Sequence, residues 1–320
     1  MELMHNYQVS FNELLTEKFD YFIAASGYQK RSTYLAEQSG LKVAEKYVIC
    51  FDESENKQLR IENEEIFEKL GFISIKTTTG TSEIERLTDM ICSCRSCQNL
   101  NILVDYSCMP KIWYATFVYH LLKNNYRARR INIYFSYTAK KINVLNQKSK
   151  LKAFEPVFIQ NDRITEDKPV TLVTGLNNNQ EIVKELIERL KPTETVAFIP
   201  EFSHDSAYNS QILENNAPLL KTVGSDKIIK YPAQKPDQIC SMLTSLCLDL
   251  RLNSNVMLVP HGPKTLSLVS ILLSVRYPDI KIYDLKPKDE KAEYDIGLPC
   301  GDPVILKSVF VVDDDDEDEY

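Results

Sequence analysis

Long apolar runs are missing from this chain: no window approaches the roughly 18 consecutive apolar residues that a helical membrane span requires, so a helix-spanning membrane protein is excluded. The first residues, Met1 to Tyr7, lack a basic stretch followed by an apolar run, so no secretory signal is read and a cytoplasmic protein is expected. Glycine is scarce, nine in 320 residues. Neither Gly-x-x-x-x-Gly-Lys nor Gly-x-Gly-x-x-Gly occurs, which removes the two common fingerprints for ATP and dinucleotide binding, and no cofactor is expected. Cys92-x-Cys94-x-x-Cys97 has no second Cys/His pair at zinc spacing and lies on a helical pattern. The eight cysteines therefore read as structural thiols, with neither a metal site nor a disulfide framework. Lys and Arg form no stripe beyond Arg127, Arg129 and Arg130, so direct nucleic-acid binding by the folded part is not supported.

What is present is 43% hydrophobic and 26% charged residues, an ordinary globular balance. A length of 320 residues suits two cores of roughly 150 residues each. The net charge of −7 is local, because Asp313 to Tyr320 holds seven carboxylates. Such a run repels itself and buries nothing, so residues 313–320 are expected to be a disordered acidic tail that solvates the chain or meets a basic partner.

Strand and helix patterns alternate along the whole chain. Strands are expected near residues 21–25, 47–51, 72–75, 101–105 and 131–136, with helices near 31–39, 61–70, 82–97 and 110–125. After a polar stretch the order repeats, with strands near 170–174, 195–200, 227–231, 256–260 and 281–285 and helices near 180–190, 206–216, 236–252 and 263–276. Helix-bearing connections are what parallel strands need. The expected fold is α/β: two tandem Rossmann-like, doubly wound parallel sheets related by an internal repeat of about 150 residues. The reading divides the chain into a first domain at 1–145, a linker at 146–168, a second domain at 169–312 and the tail. Three landmarks hold the register: Gly27 and Gly175 are 148 residues apart, Pro110-Lys111 and Pro263-Lys264 are 153 apart, and Ile133-Tyr134 and Ile282-Tyr283 are 149 apart.

Ligands of open parallel sheets bind beyond the carboxyl ends of the strands, which directs attention to two turns, "NILVDYSCMPKIW" (101–113) and "NVMLVPHGPKTLS" (255–267). Each runs a buried strand through a short turn into a helix opened by Pro-Lys. A lysine in the first helical turn faces the positive end of the helix dipole, and an anion held by the helix N–H groups would relieve it. The competing reading is that proline only starts the helix and lysine reaches to solvent. The turn after the first strand, "AASGYQKRSTY" (24–34), adds a glycine, an aromatic and charged and hydroxyl groups suited to phosphate contact and base stacking. The candidate ligand residues are Gly27, Tyr28, Arg31, Ser32, Asp105, Ser107, Lys111, Gly175, His204, His261, Gly262 and Lys264. Thr81 or Ser82 with Glu85 reads as a capping box. Catalytic candidates are Ser107, Cys108 and His261, with Ser107 and Lys111 four apart and Cys108 near Asp105, but spacing alone assigns no chemistry.

At Ser26-Gly27-Tyr28, Lys111 and Lys264 the chain resembles the CARF and SAVED sensor domains, Rossmann-like modules that recognise cyclic oligonucleotides in prokaryotic defence systems. Where CARF domains often carry Thr-Gly-Gly-Thr-Lys, this chain has Ser107-Cys-Met-Pro-Lys111 and Pro260-His-Gly-Pro-Lys264, keeping the lysine and losing the Gly-Thr core. The resemblance spans about residues 20–140 and 168–287. It implies a non-catalytic subunit that senses a nucleotide or cyclic oligonucleotide and works with a protein partner in an anti-phage type complex. The alternatives are an enzyme acting on a nucleotide or phosphorylated metabolite, and a scaffold whose turn residues only cap and pack.

Overall fold

The computed structural model describes residues 1–51, 58–77, 80–93, 99–124, 126, 128–141, 149–158, 167–203, 205–288 and 296–312. The chain divides into two compact units: Met1–Ile142 with Tyr294–Tyr320, and Asn143–Glu293.

The first unit runs β1 (Glu2–Val9), α1 (Phe11–Thr16), β2 (Lys18–Ser26), β3 (Lys42–Phe51), α2 (Gln58–Lys69), β4 (Ile73–Thr77), α3 (Ser82–Cys92), β5 (Asn99–Asp105), α4 (Lys111–Lys123) and β6 (Arg130–Tyr137). The second runs β7 (Leu151–Pro156), β8 (Val170–Gly175), α5 (Gln180–Leu190), β9 (Glu194–Glu201), α6 (Ser206–Val223), β10 (Ile228–Pro232), α7 (Pro236–Asn253), β11 (Asn255–Val259), α8 (Lys264–Arg276) and β12 (Lys281–Pro287). The last strand, β13 (Val304–Val311), returns to the first unit.

The sheet of the first unit is ordered β1-β13-β6-β5-β2-β3-β4, and that of the second β10-β9-β8-β11-β12-β7. The five strands from β2 to β6 are mutually parallel, as are the five from β8 to β12. Counted within each unit, both parallel sets have the order 3-2-1-4-5. The order reverses between β2 and β5 in one unit and between β8 and β11 in the other, and these are the topological switch points of doubly wound sheets. All ten strands expected from the alternating pattern form, so the tandem Rossmann-like architecture is the one observed.

Two of the expected domain boundaries need correction. β13, placed by its chain position in the second domain, pairs antiparallel with β6 over eight residues and with β1 on its other side. Its "VILKSVFV" run is buried at six of eight positions, which only a doubly paired, doubly covered strand achieves. The supposed linker contains β7, an antiparallel edge strand on β12 whose Leu151 is fully buried in the second core. The acidic tail, 313–320, lies outside the described residues.

Side chains alternate across each sheet, which is how the helices are held. In the first unit Phe22, Ala24, Val48, Leu103 and Tyr134 face one side and pack with Leu14 of α1 and Phe67 of α2. Their neighbours Ile23, Ile49 and Val104 face the other side, against Ile84 and Leu87 of α3 and Trp113, Tyr114 and Phe117 of α4. In the second unit Leu172, Ala197, Ile199 and Val259 pack with α5 and α6 through Ile182, Val183, Leu186, Ile212 and Leu219. α7 and α8 pack together, and α8 is buried at every position from Thr265 to Ser274. Its apolar residues run all round the helix, so it needs cover on every side.

The helix expected over 31–39 is reduced to a 3-10 turn at Lys30–Ser32. Ser32 Oγ donates to Ala25 O at 2.7 Å and accepts from Gly27 N at 3.0 Å, a local side-chain bridge that competes with helical pairing. The expected capping box at α3 is absent, since Thr81 makes no side-chain cap bond. A complete box closes α1 instead, between Ser10 and Glu13.

Candidate functional site

Each switch point brings together two turns, one after the first strand of the parallel set and one after the fourth. In both units the fourth-strand turn ends in an N-cap proline followed by lysine as the first helical residue. Pro110 has φ −56° and ψ 149°, and Pro263 has φ −55° and ψ 144°. The two turns therefore enter their helices in the same conformation, and Lys111 and Lys264 occupy the same half-buried position.

The glycines of the first-strand turns are explained by what crosses them. An ideal Cβ on Gly27 would lie 2.8 Å from Cys108 Cβ, and one on Gly175 would lie 2.6 Å from His261 O. Neither glycine needs a positive φ. Each is small because the fourth-strand turn of its own unit rests on it, and Cys108 and His261 are equivalent positions of the repeat. This contact is a third structural sign of the repeat, and it makes Gly27 and Gly175 packing residues of the switch point.

At the first switch point the carboxylate of Asp105, 2% exposed, accepts from Ser107 N at 2.9 Å and from Ser107 Oγ at 2.5 Å. Ser107 Oγ in turn accepts from Thr138 N at 2.8 Å. Arg31 is 6% exposed. Its guanidinium donates to Thr138 O and to Gln29 Oε1, both at 2.8 Å, and lies over the Tyr137 ring at 5.4 Å. Asn63 Nδ2 donates to Gly27 O and Gln29 O, which fixes the turn from α2. Arg31, Ser32, Asp105 and Ser107 thus stand together, and the contacts above tie each of them into the fold.

A segment of the C-terminal return lies over this edge. Lys30 N donates to Ile296 O at 2.8 Å and Arg31 N to Gly297 O at 3.1 Å, while Lys141 N donates to Leu298 O and Cys300 N to Ala139 O. The backbone N–H groups of Lys30 and Arg31, which an anion at this turn would otherwise use, are capped by carbonyls of the chain itself. Gly297 has φ +58° and sits against the Gln29 side chain, so the segment depends on a glycine there.

Tyr28 is the outer ring of an aromatic ladder: Tyr28 stacks on Phe51 at 6.2 Å, and Phe51 on the buried Trp113 at 4.5 Å. The ladder rises from beneath α4 to the carboxyl edge. Ser26, and Ser136 and Thr138, which the sequence reading did not single out, are fully buried here, and among the described residues their hydroxyls meet no hydrogen-bond partner.

The second switch point is different in character. Thr174 Oγ1 donates to Gly175 O and Val259 O, Thr265 Oγ1 to Ala233 O, and Ser267 Oγ to Pro260 O. Asn216 Nδ2 ties Asn177 O to α6. The backbone N–H of His261, which is half-buried, donates to Val259 O. Gly262 lies between the turns: an ideal Cβ would meet Leu176 O and Tyr231 Oη, each at 3.4 Å. Tyr231, at the end of β10, is fully buried, and burial pushes its phenol well above the usual range. Its hydroxyl has no partner among the described residues. His204 lies outside the described residues. Among those residues no group of three or more His, Cys, Asp or Glu is placed to hold a metal, and no helix is long and apolar enough to cross a membrane.

No protein-family model matches the chain, and no curated protein does. Among solved structures the chain is similar to a Haemonchus contortus phosphoethanolamine N-methyltransferase in complex with phosphoethanolamine and S-adenosylhomocysteine, at 8% identity, over 92% of this chain and 88% of that one, with a TM-score of 0.22. A superposition that loose carries no argument about fold or function.

Proposed function

We propose that this chain is a nucleotide-sensing subunit that binds its ligand at the carboxyl edges of its sheets and passes the signal to a protein partner, as in the prokaryotic defence complexes that its CARF and SAVED resemblance implies. The observation that carries the reading is the duplicated device at the strand-order reversal: a proline-fixed helix N-terminus with lysine as its first residue, in one conformation in both units. A helix N-terminus attracts anions through its unpaired N–H groups and its dipole, and the lysine adds charge where the helix itself disfavours it. The ladder of Tyr28, Phe51 and Trp113 places aromatic rings at the first carboxyl edge, and base–aromatic stacking is worth about 1–3 kcal/mol per base.

Binding without turnover is the better fit to the candidate nucleophiles. Ser107 Oγ is held between Asp105 and the Thr138 amide, and Cys108 is packed against Gly27. The test is a thermal-shift and mass-spectrometric panel of nucleotides and linear and cyclic oligonucleotides, with wild type beside a Lys111→Ala, Lys264→Ala double variant. A ligand at 100-fold excess over its dissociation constant stabilises the bound protein by about 2.7 kcal/mol. The reading requires such a stabilisation, lost in the double variant, with the ligand's mass unchanged. A changed mass replaces the sensor by an enzyme, and the absence of any shift replaces it by a scaffold.

A further inference from the structure

We propose that the second unit holds a phosphoryl-type anion in a cradle formed by the N-terminus of α8, the turn at Gly262 and the hydroxyl of Tyr231. The inference rests on the reading of the carboxyl edges as ligand sites and names the chemistry of one of them. α8 is 13 residues long and begins at Lys264, so its dipole is fully developed and its first N–H groups point toward the turn. The second, independent observation is Tyr231. A buried phenol ordinarily finds a hydrogen-bond partner, yet this one is fully buried, has none among the described residues, and lies against the turn that leads into α8.

Gly262 is what connects the two. Without a side chain it leaves the Tyr231 oxygen against the turn that enters α8, 3.4 Å from where a Cβ would lie. A small rotation of that peptide, which glycine permits, brings the hydroxyl to an anion seated on α8. The phenol stays protonated because burial raises its pKa, so it serves as a donor. The other groups named at this edge, Thr174, Thr265 and Ser267, have their hydroxyls turned onto backbone carbonyls. The first switch point differs, since there the buried Asp105 carboxylate sits among the corresponding turns. The anion cradle is therefore a feature of the second unit, and the first switch point has no counterpart of it.

The substitutions that test this are tolerated by the fold. An alanine at Gly262 meets nothing closer than 3.4 Å, ordinary van der Waals contact, and the position has no positive φ. Tyr231→Phe keeps the ring. The experiment is calorimetric titration of the full chain with inorganic phosphate and with pyrophosphate, for wild type, Gly262→Ala, Tyr231→Phe and Lys264→Ala. Wild type binds the anion; Tyr231→Phe weakens it about tenfold, the loss of one hydrogen bond to a charged group, Gly262→Ala weakens it at least as much, with both variants as stable as wild type or more so, and Lys264→Ala weakens it through the lost charge. Equal binding by wild type, Tyr231→Phe and Gly262→Ala overturns the cradle, as does absence of anion binding in wild type. Either result leaves the sensor reading standing if the nucleotide panel still shows a shift that depends on Lys111.

Discussion

The two switch-point glycines make matched perturbations with different expected rescues. Gly27→Ala drives a methyl to 2.8 Å from Cys108 Cβ, and Gly175→Ala drives one to 2.6 Å from the His261 carbonyl and 2.6 Å from Leu266 Cδ2. Overpacking of this kind costs about 1–3 kcal/mol, a fall of roughly 2–4 °C in Tm per kcal/mol for a unit of this size. In the first unit the obstacle is a side chain. Cys108→Gly removes it, at an intrinsic cost of about 0.5–1 kcal/mol for the glycine, so the Gly27→Ala, Cys108→Gly pair is more stable than the sum of its parts by about 1–2 kcal/mol. In the second unit one of the two equally close obstacles is backbone, so Leu266→Ala relieves Gly175→Ala only in part. The readout separates the units, because Trp113 is the one tryptophan of the chain and is buried in the first unit. Urea denaturation followed by tryptophan fluorescence reports Gly27→Ala, and far-ultraviolet circular dichroism reports both variants. Wild-type stability of either single alanine variant, or complete rescue of Gly175→Ala by Leu266→Ala, refutes the crossing-turn geometry.

Truncation before Val304 removes the strand between β1 and β6, so the cooperative Trp113 transition is expected to disappear while the second unit keeps its own dichroism transition. Gly297→Val places a branched residue at φ +58° and against Gln29, costing about 1–2 kcal/mol; limited proteolysis is expected to cut near residues 296–300 in this variant and to spare wild type. Burial pushes the thiol of Cys50 up to about 11 and those of Cys92 and Cys247 up to about 12, while Cys300 is exposed. At pH 8 the first three stay protonated, and a thiol reagent read by peptide mass spectrometry is expected to label Cys300 and leave them unmodified until the protein unfolds.

The sequence displayed the parallel strands because each is an apolar, β-branched run bounded by turn residues, and their helices follow from the change of period. β1, "ELMHNYQV", carries polar residues through its length, and β7, "LKAFEP", is short and half apolar, so neither announces itself. β13 was not read as a strand, and its partner could not be, since pairing across some 170 residues with β6 leaves no local trace. The site was legible in the same uneven way. Strand ends, glycines and Pro-Lys pairs marked the switch points. The orphaned hydroxyls of Ser26, Ser136, Thr138 and Tyr231 did not, because burial without a partner is a property of packing. Nor could the sequence show that Ile296 and Gly297 cap the β2 turn, a contact made across most of the chain.

The most direct test of the sensor account is photo-crosslinking with an azido-nucleotide chosen from whichever compound stabilises the protein, followed by peptide mapping. The account predicts adducts confined to the carboxyl-edge turns, within residues 26–34, 106–113 and 260–266, and their loss in the Lys111→Ala, Lys264→Ala variant. Adducts on the helical faces or at the amino ends of the strands, unchanged in that variant, would contradict it.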